Sequence, residues 1–138
     1  MSQPVHTIRS DERLDAARKA LELFGVHHML VENSGRIVGI VSDRDVLRNL
    51  SPYADGISSQ TRDEATLRRP IYSIATYDLV TVELDTSLAE ATALMLARRI
   101  SCLPVRGQQG NVVGVVTKTD LLEATVSCLV DERPAQAA

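Results

Sequence analysis

The sequence has no tryptophan, and aromatic residues make up only 3% of its 138 positions. An aromatic platform on which nucleic-acid bases could stack is therefore not expected. Basic residues are not in excess either, since 15 Lys and Arg stand against 18 Asp and Glu and the net charge is −3. This balance argues against a nucleic-acid partner, and the core must be built from Val, Ile, Leu and Ala.

Long apolar runs and paired cysteines are also missing. No stretch approaches the roughly 20 residues that a membrane helix needs, and Met1–Pro4 does not open a secretory signal pattern. Cys102 and Cys128 form no CxxC pair, so the simplest role of each is that of a small buried hydrophobic residue in a reducing compartment. We expect a cytoplasmic protein that makes no membrane contact.

Catalytic and metal-binding motifs are absent as well. The chain has no GxSxG, P-loop or HExxH motif and no nucleophile with a paired base. Its histidines show no metal-ligand spacing, because neighbours such as His27 and His28 point to opposite faces of a strand. We expect no enzyme activity, no required cofactor and no metal site.

What the sequence does contain is an internal duplication. The segment Gly35–Leu47 reappears as Gly110–Leu122, at an offset of 75 residues, and upstream positions match at an offset of 74. The extra residue falls in the turn Gly107–Gly110, where an insertion is tolerated. Two copies are too few for a solenoid, which needs about three units, so a pseudo-symmetric pair is expected.

Within each copy the hydrophobic periods predict the order β-α-β-β-α. The first helix spans Asp11–Phe24, with Ser10 as its cap and Gly25 at its end, and its counterpart opens with a capping box at Ser87 and Glu90. The remaining predicted elements are strands at Thr7–Ile8, Val26–Val31, Ile37–Val41, Val80–Val82, Ile100–Val105 and Val112–Val116, and closing helices at Asp43–Leu50 and Lys118–Leu129.

The predicted fold class is therefore α/β. Residues 1–53 form repeat 1 and residues 70–130 form repeat 2. Residues 54–69 are rich in Pro, Gly, Ser and polar residues and are expected to be a mobile linker. Residues 131–138 are expected to be a flexible tail.

The ordered set of motifs resembles a tandem pair of CBS (cystathionine-β-synthase) domains, known as a Bateman module. The second copy carries the family pattern in Thr81-Val82, in Leu103-Pro104-Val105 and in the run Gly114–Asp120. The first copy has Met29-Leu30-Val31 without the proline, and Ser42 where Thr is commoner. The resemblance implies two CBS repeats packed as a pseudo-two-fold symmetric pair.

A lead-in segment, Pro70–Thr76, precedes the second copy and resembles the family's first strand, which helps to wall the adenine pocket. The first copy starts only a few residues after Met1. We therefore expect its lead-in to be missing and its site to be less complete than that of the second copy.

Two hydroxyl-x-x-acid motifs, Ser42 with Asp45 and Thr117 with Asp120, carry the candidate chemistry. A carboxylate at a helix start can accept hydrogen bonds from the 2′- and 3′-hydroxyls of a ribose, and the helix N–H groups suit a phosphate. The alternative is structural, because the same spacing is close to a capping box that stabilises the helix without a ligand.

The resemblance also implies an apolar adenine slot beside each motif. Arg44 is the candidate phosphate contact, with a solvated surface charge as the alternative. The implied slot residues are Ile100, Ser101, Cys102, Thr76 and Val80 in the second copy, and Val26, His27 and His28 in the first.

The function implied is that of a stand-alone regulatory protein. It would sense an adenine nucleotide (AMP, ADP or ATP) in the cleft between the repeats, as a regulatory ligand, and transmit the signal to an unknown regulated protein or within a homodimer. The helix Lys118–Val130 is the candidate dimer face. The alternatives are a ligand-free dimerisation or interaction module, and a sensor of an S-adenosylmethionine-type adenosyl ligand.

Overall fold

The computed structural model describes residues 5–50 and 66–131, which form two compact units. The first unit spans His6–Leu79, and the second contains the described residues from Val80 onward together with Val5. Most of the predicted linker (residues 54–69) and of the predicted tail (residues 131–138) lies outside the described residues.

The first unit has the predicted order of elements. These are β1 (Thr7–Arg9), α1 (Leu14–Phe24), β2 (His28–Asn33), β3 (Arg36–Ser42) and α2 (Asp43–Asn49). Strand β2 is central, since it pairs in parallel with β1 and antiparallel with β3. The apolar stripe of α1 packs on this sheet, and its buried residues Leu14, Ala17 and Leu21 share one core with Met29, Val31 and Val41.

The second unit repeats this architecture, which confirms the predicted α/β duplication. Its elements are β4 (Val82–Glu83), α3 (Leu88–Arg98), β5 (Cys102–Arg106), β6 (Val112–Thr117) and α4 (Lys118–Asp131). The strand order is β4-β5-β6, with the same parallel and antiparallel pairings as in the first unit. The core residues are Val82, Ala91, Met95, Leu103, Val105, Val116 and Leu121.

The predicted start of α1 is wrong. The helix begins at Leu14, and its N-cap residue, Arg13, makes no side-chain capping bond. Backbone groups from elsewhere in the unit take the place of a cap, because the Leu14 N–H donates to the carbonyl of Arg69 at 2.8 Å. Ser10 does not cap the helix. Its N–H donates to the carbonyl of Glu32 in the neighbouring strand β2. The C-terminal end is as predicted, since Gly25 has a φ of 63°.

The lead-in segment 70–76 packs on the first unit. Ile71 is fully buried in the first core, and its N–H donates to the Glu12 carbonyl at 2.8 Å. Farther along, Thr76 and Ile40 exchange both backbone hydrogen bonds, each 2.9 Å long. The first unit thus gains a strand-like edge from residues that the sequence assigned to repeat 2, and its compact part extends to Leu79.

Close approach at this edge depends on Gly39. A Cβ atom at this buried position would lie 2.8 Å from the carbonyl oxygen of Thr76. Glycine is the residue that allows two backbones to come this close.

We therefore expect Gly39→Ala to lower the free energy of unfolding by about 1–3 kcal/mol, because the added methyl group pushes the Thr76 segment away. Urea denaturation measures the change, and hydrogen exchange of the Ile40 and Thr76 amides locates it. A variant with an unchanged denaturation midpoint and unchanged exchange at both amides would contradict this packing.

Candidate functional site

The closing helix of the first repeat starts directly at the end of β3. Ser42, the last residue of the strand, is the N-cap of α2. The Asp45 N–H donates to Ser42 Oγ at 3.2 Å, and the Ser42 N–H donates to Asp45 Oδ2 at 2.8 Å. The Ser42 hydroxyl also donates to Oδ2, at 2.9 Å. The capping-box alternative is thus realised in the structure.

The second repeat has the same junction between β6 and α4. The Thr117 N–H and hydroxyl donate to Asp120 Oδ2 at 2.8 and 3.2 Å, while the Asp120 N–H lies 3.5 Å from Thr117 Oγ1. In both repeats the acid accepts the bonds from the N-cap residue at Oδ2. A carboxylate can accept several hydrogen bonds, so a capping role does not by itself exclude ligand binding.

The strand before each box starts opposite the hydroxyl. His28 pairs with Ser42, and Cys102 pairs with Thr117. The residue before each strand start is bonded to the closing helix through its carbonyl group. The Asp43 N–H donates to the His27 carbonyl at 3.0 Å, and the Lys118 N–H donates to the Ser101 carbonyl at 3.1 Å. The structure therefore brings His27 and His28 next to the acid motif of the first repeat, and Ser101 and Cys102 next to that of the second.

The apolar residue of each slot is half-buried. Val26 packs against the first core and Ile100 against the second. Their N–H groups donate to the carbonyls of Leu21 and Met95, which ties each slot to the end of the preceding helix. Each slot thus has an apolar residue beside the backbone of a strand end.

Burial changes the acid–base properties of the two strand-start residues. Burial, and to a lesser degree the negative charge of Asp120, raises the pKa of Cys102 to about 12. Burial also lowers the pKa of His28, although the neighbouring charge of Asp43 opposes the shift. Near neutral pH both side chains are therefore uncharged.

Asp43 is a site residue that the sequence analysis missed. His27 Nδ1 donates to Asp43 Oδ2 at 2.8 Å. Burial alone would raise the pKa of Asp43, but the hydrogen bonds from His27 and from the Arg44 backbone outweigh it, so the pKa is lowered. The hairpin register brings the two residues together, and position 43 gave no signal of its own in the sequence.

The remaining predicted residues, Arg44, Thr76 and Val80, differ in their surroundings. Arg44 is exposed on the first turn of α2, and Lys118 is exposed at the start of α4. Thr76 belongs to the first compact unit, through its pairing with Ile40, whereas Val80 packs against the second core. The structure does not combine Thr76 and Val80 in one unit, because the unit boundary lies between them.

A family model for the CBS domain matches residues 1–52 and 71–127. The chain belongs to the CBS domain family. One relative, a CBS domain-containing protein of Dictyostelium discoideum, is 33% identical over 131 residues, which cover 94% of this chain and 90% of that protein. An inosine-5′-monophosphate dehydrogenase of Methanocaldococcus jannaschii is 26% identical, but the match covers only 21% of the enzyme. This similarity to an enzyme is therefore confined to the CBS region.

Solved structures show the same fold. A protein with CBS domains from Burkholderia ambifaria has a TM-score of 0.75 at 22% identity, covering 98% of this chain and 89% of that chain. A CBS domain pair in complex with 5′-methylthioadenosine and S-adenosyl-L-methionine has a TM-score of 0.74 at 23% identity, covering 93% of each chain. The chain is a tandem CBS pair.

The described residues contain neither a membrane-spanning helix nor a metal-binding cluster. Among residues 5–50 and 66–131, no helix is long and apolar enough to cross a membrane. The same part of the chain contains no group of three or more His, Cys, Asp or Glu side chains arranged to hold a metal ion.

The two cysteines differ in exposure, which corrects the expectation that both are buried. Cys102 is buried and Cys128 is exposed on α4. Because the thiolate is the reactive form, we expect one thiol per native chain to react rapidly with a disulfide reagent at pH 8, and the second only after unfolding.

Cys128→Ser is the matched control and should remove the rapid reaction. Two rapidly reacting thiols in the native protein would contradict the raised pKa and the burial of Cys102.

Proposed function

We propose that the chain is a regulatory CBS pair whose ligand is an adenine nucleotide, AMP, ADP or ATP. The observation that carries this proposal is the repeated combination of a carboxylate, a hydroxyl and a half-buried apolar residue at the start of each closing helix. An ionised carboxylate can accept hydrogen bonds from both ribose hydroxyls. Asp45 and Asp120 are the proposed ribose ligands.

The adenine would be held by aliphatic side chains and backbone. Ile100, Ser101 and Cys102 are proposed for the second repeat, and Val26, His27 and His28 for the first. The CBS pair solved with 5′-methylthioadenosine and S-adenosyl-L-methionine supports an adenosyl ligand, because both of its ligands contain adenosine.

We propose that the phosphate group of a nucleotide binds more favourably at the second repeat than at the first. Lys118 stands at the first position of α4, where the first repeat has the anionic Asp43. A cation and the positive end of a 14-residue helix both attract a phosphate. In the first repeat Arg44 is the cation available, and Asp43 beside it opposes an anion.

Titration calorimetry with AMP and ATP tests the proposal. We expect Asp120→Asn to weaken binding about tenfold or more, because charge-assisted hydrogen bonds to the ribose are lost. Ser87→Ala is the matched control, since Ser87 and Glu90 form a capping box of the same kind at the start of α3. The control should lose about 1 kcal/mol of stability and keep its affinity.

If neither nucleotide produces heat, or if Asp120→Asn binds like the wild type, the nucleotide proposal fails at this site. A ligand-free interaction module would then remain, with the acids serving as caps.

S-adenosylmethionine is the second candidate ligand. The CBS pair of similar fold that was solved with this compound favours it. It offers the same ribose hydroxyls but no phosphate. In the same titrations Lys118→Gln should weaken the binding of AMP and ATP. The affinities for adenosine and S-adenosylmethionine should not change. Tighter binding of S-adenosylmethionine than of AMP to the wild type would favour this candidate.

We also propose that the protein forms a homodimer through its helices and transmits ligand binding to a regulated protein. Large apolar side chains are exposed on α3 and α4, with Leu96 74% and Leu122 66% exposed. They flank a groove of ≈ 420 Å³ between the two helices. Exposed apolar patches of this kind mark protein contact surfaces.

We expect Leu122→Glu to raise the dimer dissociation constant at least about tenfold, because a buried apolar contact is replaced by a desolvated charge. Sedimentation equilibrium measures the constant. Leu84→Glu is the control, since Leu84 is also exposed but lies in the turn after β4, outside the groove. Equal effects of the two substitutions would contradict a helix-face dimer.

A further inference from the structure

The two candidate slots differ at the first residue of their central strands. The first repeat has His28 at this position and the second has Cys102. His28 lies opposite Ser42 in its hairpin, as Cys102 lies opposite Thr117. Side chains that are directly opposite in an antiparallel pair share one face of the sheet, with Cβ atoms about 5 Å apart. The His28 imidazole therefore lies on the sheet face that carries the Ser42 hydroxyl.

This face places His28 beside the proposed ribose ligand of the first repeat. The Ser42 hydroxyl donates to Asp45 Oδ2 at 2.9 Å, so the carboxylate is held next to the group that His28 faces. His28 is itself half-buried. An adenosine seated on Asp45 would cover more of the imidazole and remove further water from it.

The surroundings of His28 favour its neutral form. Burial is the largest cause that lowers the pKa of His28, and the positive charges of His27 and Arg44 act in the same direction. The negative charges of Asp43 and Asp45 oppose this shift without cancelling it. A ligand that removes more water lowers the pKa further, and by linkage its affinity must fall when His28 takes up a proton.

We infer that the adenosyl site of the first repeat is acid-sensitive, because protonation of His28 weakens ligand binding there, whereas the site of the second repeat keeps its affinity. The inference rests on the proposed function. Cys102 makes the difference between the repeats, since a thiol with a pKa of about 12 stays uncharged at neutral and acid pH. The pair would then respond to pH through one repeat and to ligand concentration through both.

Titration with adenosine at about pH 7.5 and about pH 5, on either side of the ordinary histidine pKa, tests the inference. Adenosine is the probe because it has no phosphate that could attract a protonated imidazole. Nuclear magnetic resonance separates the two sites, since the amides of Ser42 and Asp45 report on the first repeat and those of Thr117 and Asp120 on the second.

We expect the affinity at the first repeat to be about threefold or more weaker at the lower pH, and the affinity at the second repeat to be unchanged. Protonation of the ribose-binding acids would affect both repeats alike, so the second repeat is an internal reference. The imidazole proton resonances give the pKa of His28 in the same samples. Saturation with adenosine should lower it by about half a unit, which corresponds to a threefold change in affinity.

The neighbouring histidine provides a matched control. His28→Gln removes the titrating group, and its first repeat should bind adenosine equally well at both pH values. His27→Gln should keep the pH dependence of the wild type, because His27 is exposed and its ring is hydrogen-bonded to Asp43 at 2.8 Å.

Three results would overturn the inference while the ligand proposal stands. These are equal adenosine affinities of the first repeat at both pH values, a pH dependence that persists in His28→Gln, and an equal loss of affinity at both repeats. Absence of adenosine-induced shifts in both repeats at the higher pH would overturn the ligand proposal and this inference together.

Discussion

In each repeat the closing helix begins where a strand ends, and a pair of reciprocal hydrogen bonds makes this possible. The bonds join Ser42 to Asp45 and Thr117 to Asp120. They satisfy helix N–H groups that would otherwise need water or a loop. The helix start is also bonded to the neighbouring strand, through the carbonyls of His27 and Ser101. This constraint fixes the acid, the hydroxyl and the strand end in one small region.

The same backbone carries different chemistry in the two repeats. At the strand start the first repeat has His28 and the second has Cys102, and at the helix start Asp43 corresponds to Lys118. The first junction is therefore richer in acidic and titratable groups, and the second carries a cation in place of one acid. The two repeats have similar backbones at this junction. The substitutions make the junction of the second repeat better suited to an anion than that of the first.

The sequence predicted the duplicated β-α-β-β-α order and the capping box at Ser87, because these follow from local period and spacing. It failed where distant backbone groups decide the outcome. The start of α1 is set by a bond from Leu14 to Arg69, and the place of Thr76 is set by its pairing with Ile40. No local pattern encodes such pairings. Asp43 was not predicted as a site residue for the same reason, because its partner His27 lies across the hairpin.

We propose that the capping boxes at Ser42 and Thr117 bind a ligand as well as stabilising a helix. Nuclear magnetic resonance of the amide groups during a titration with AMP tests it most directly. Saturable shifts are predicted for the amides of Ser101, Thr117 and Asp120, whereas the amides of Ser87 and Glu90, in the box at the start of α3, should not move. Saturation without shifts at Thr117 and Asp120, or equal shifts at Ser87 and Glu90, would contradict the claim.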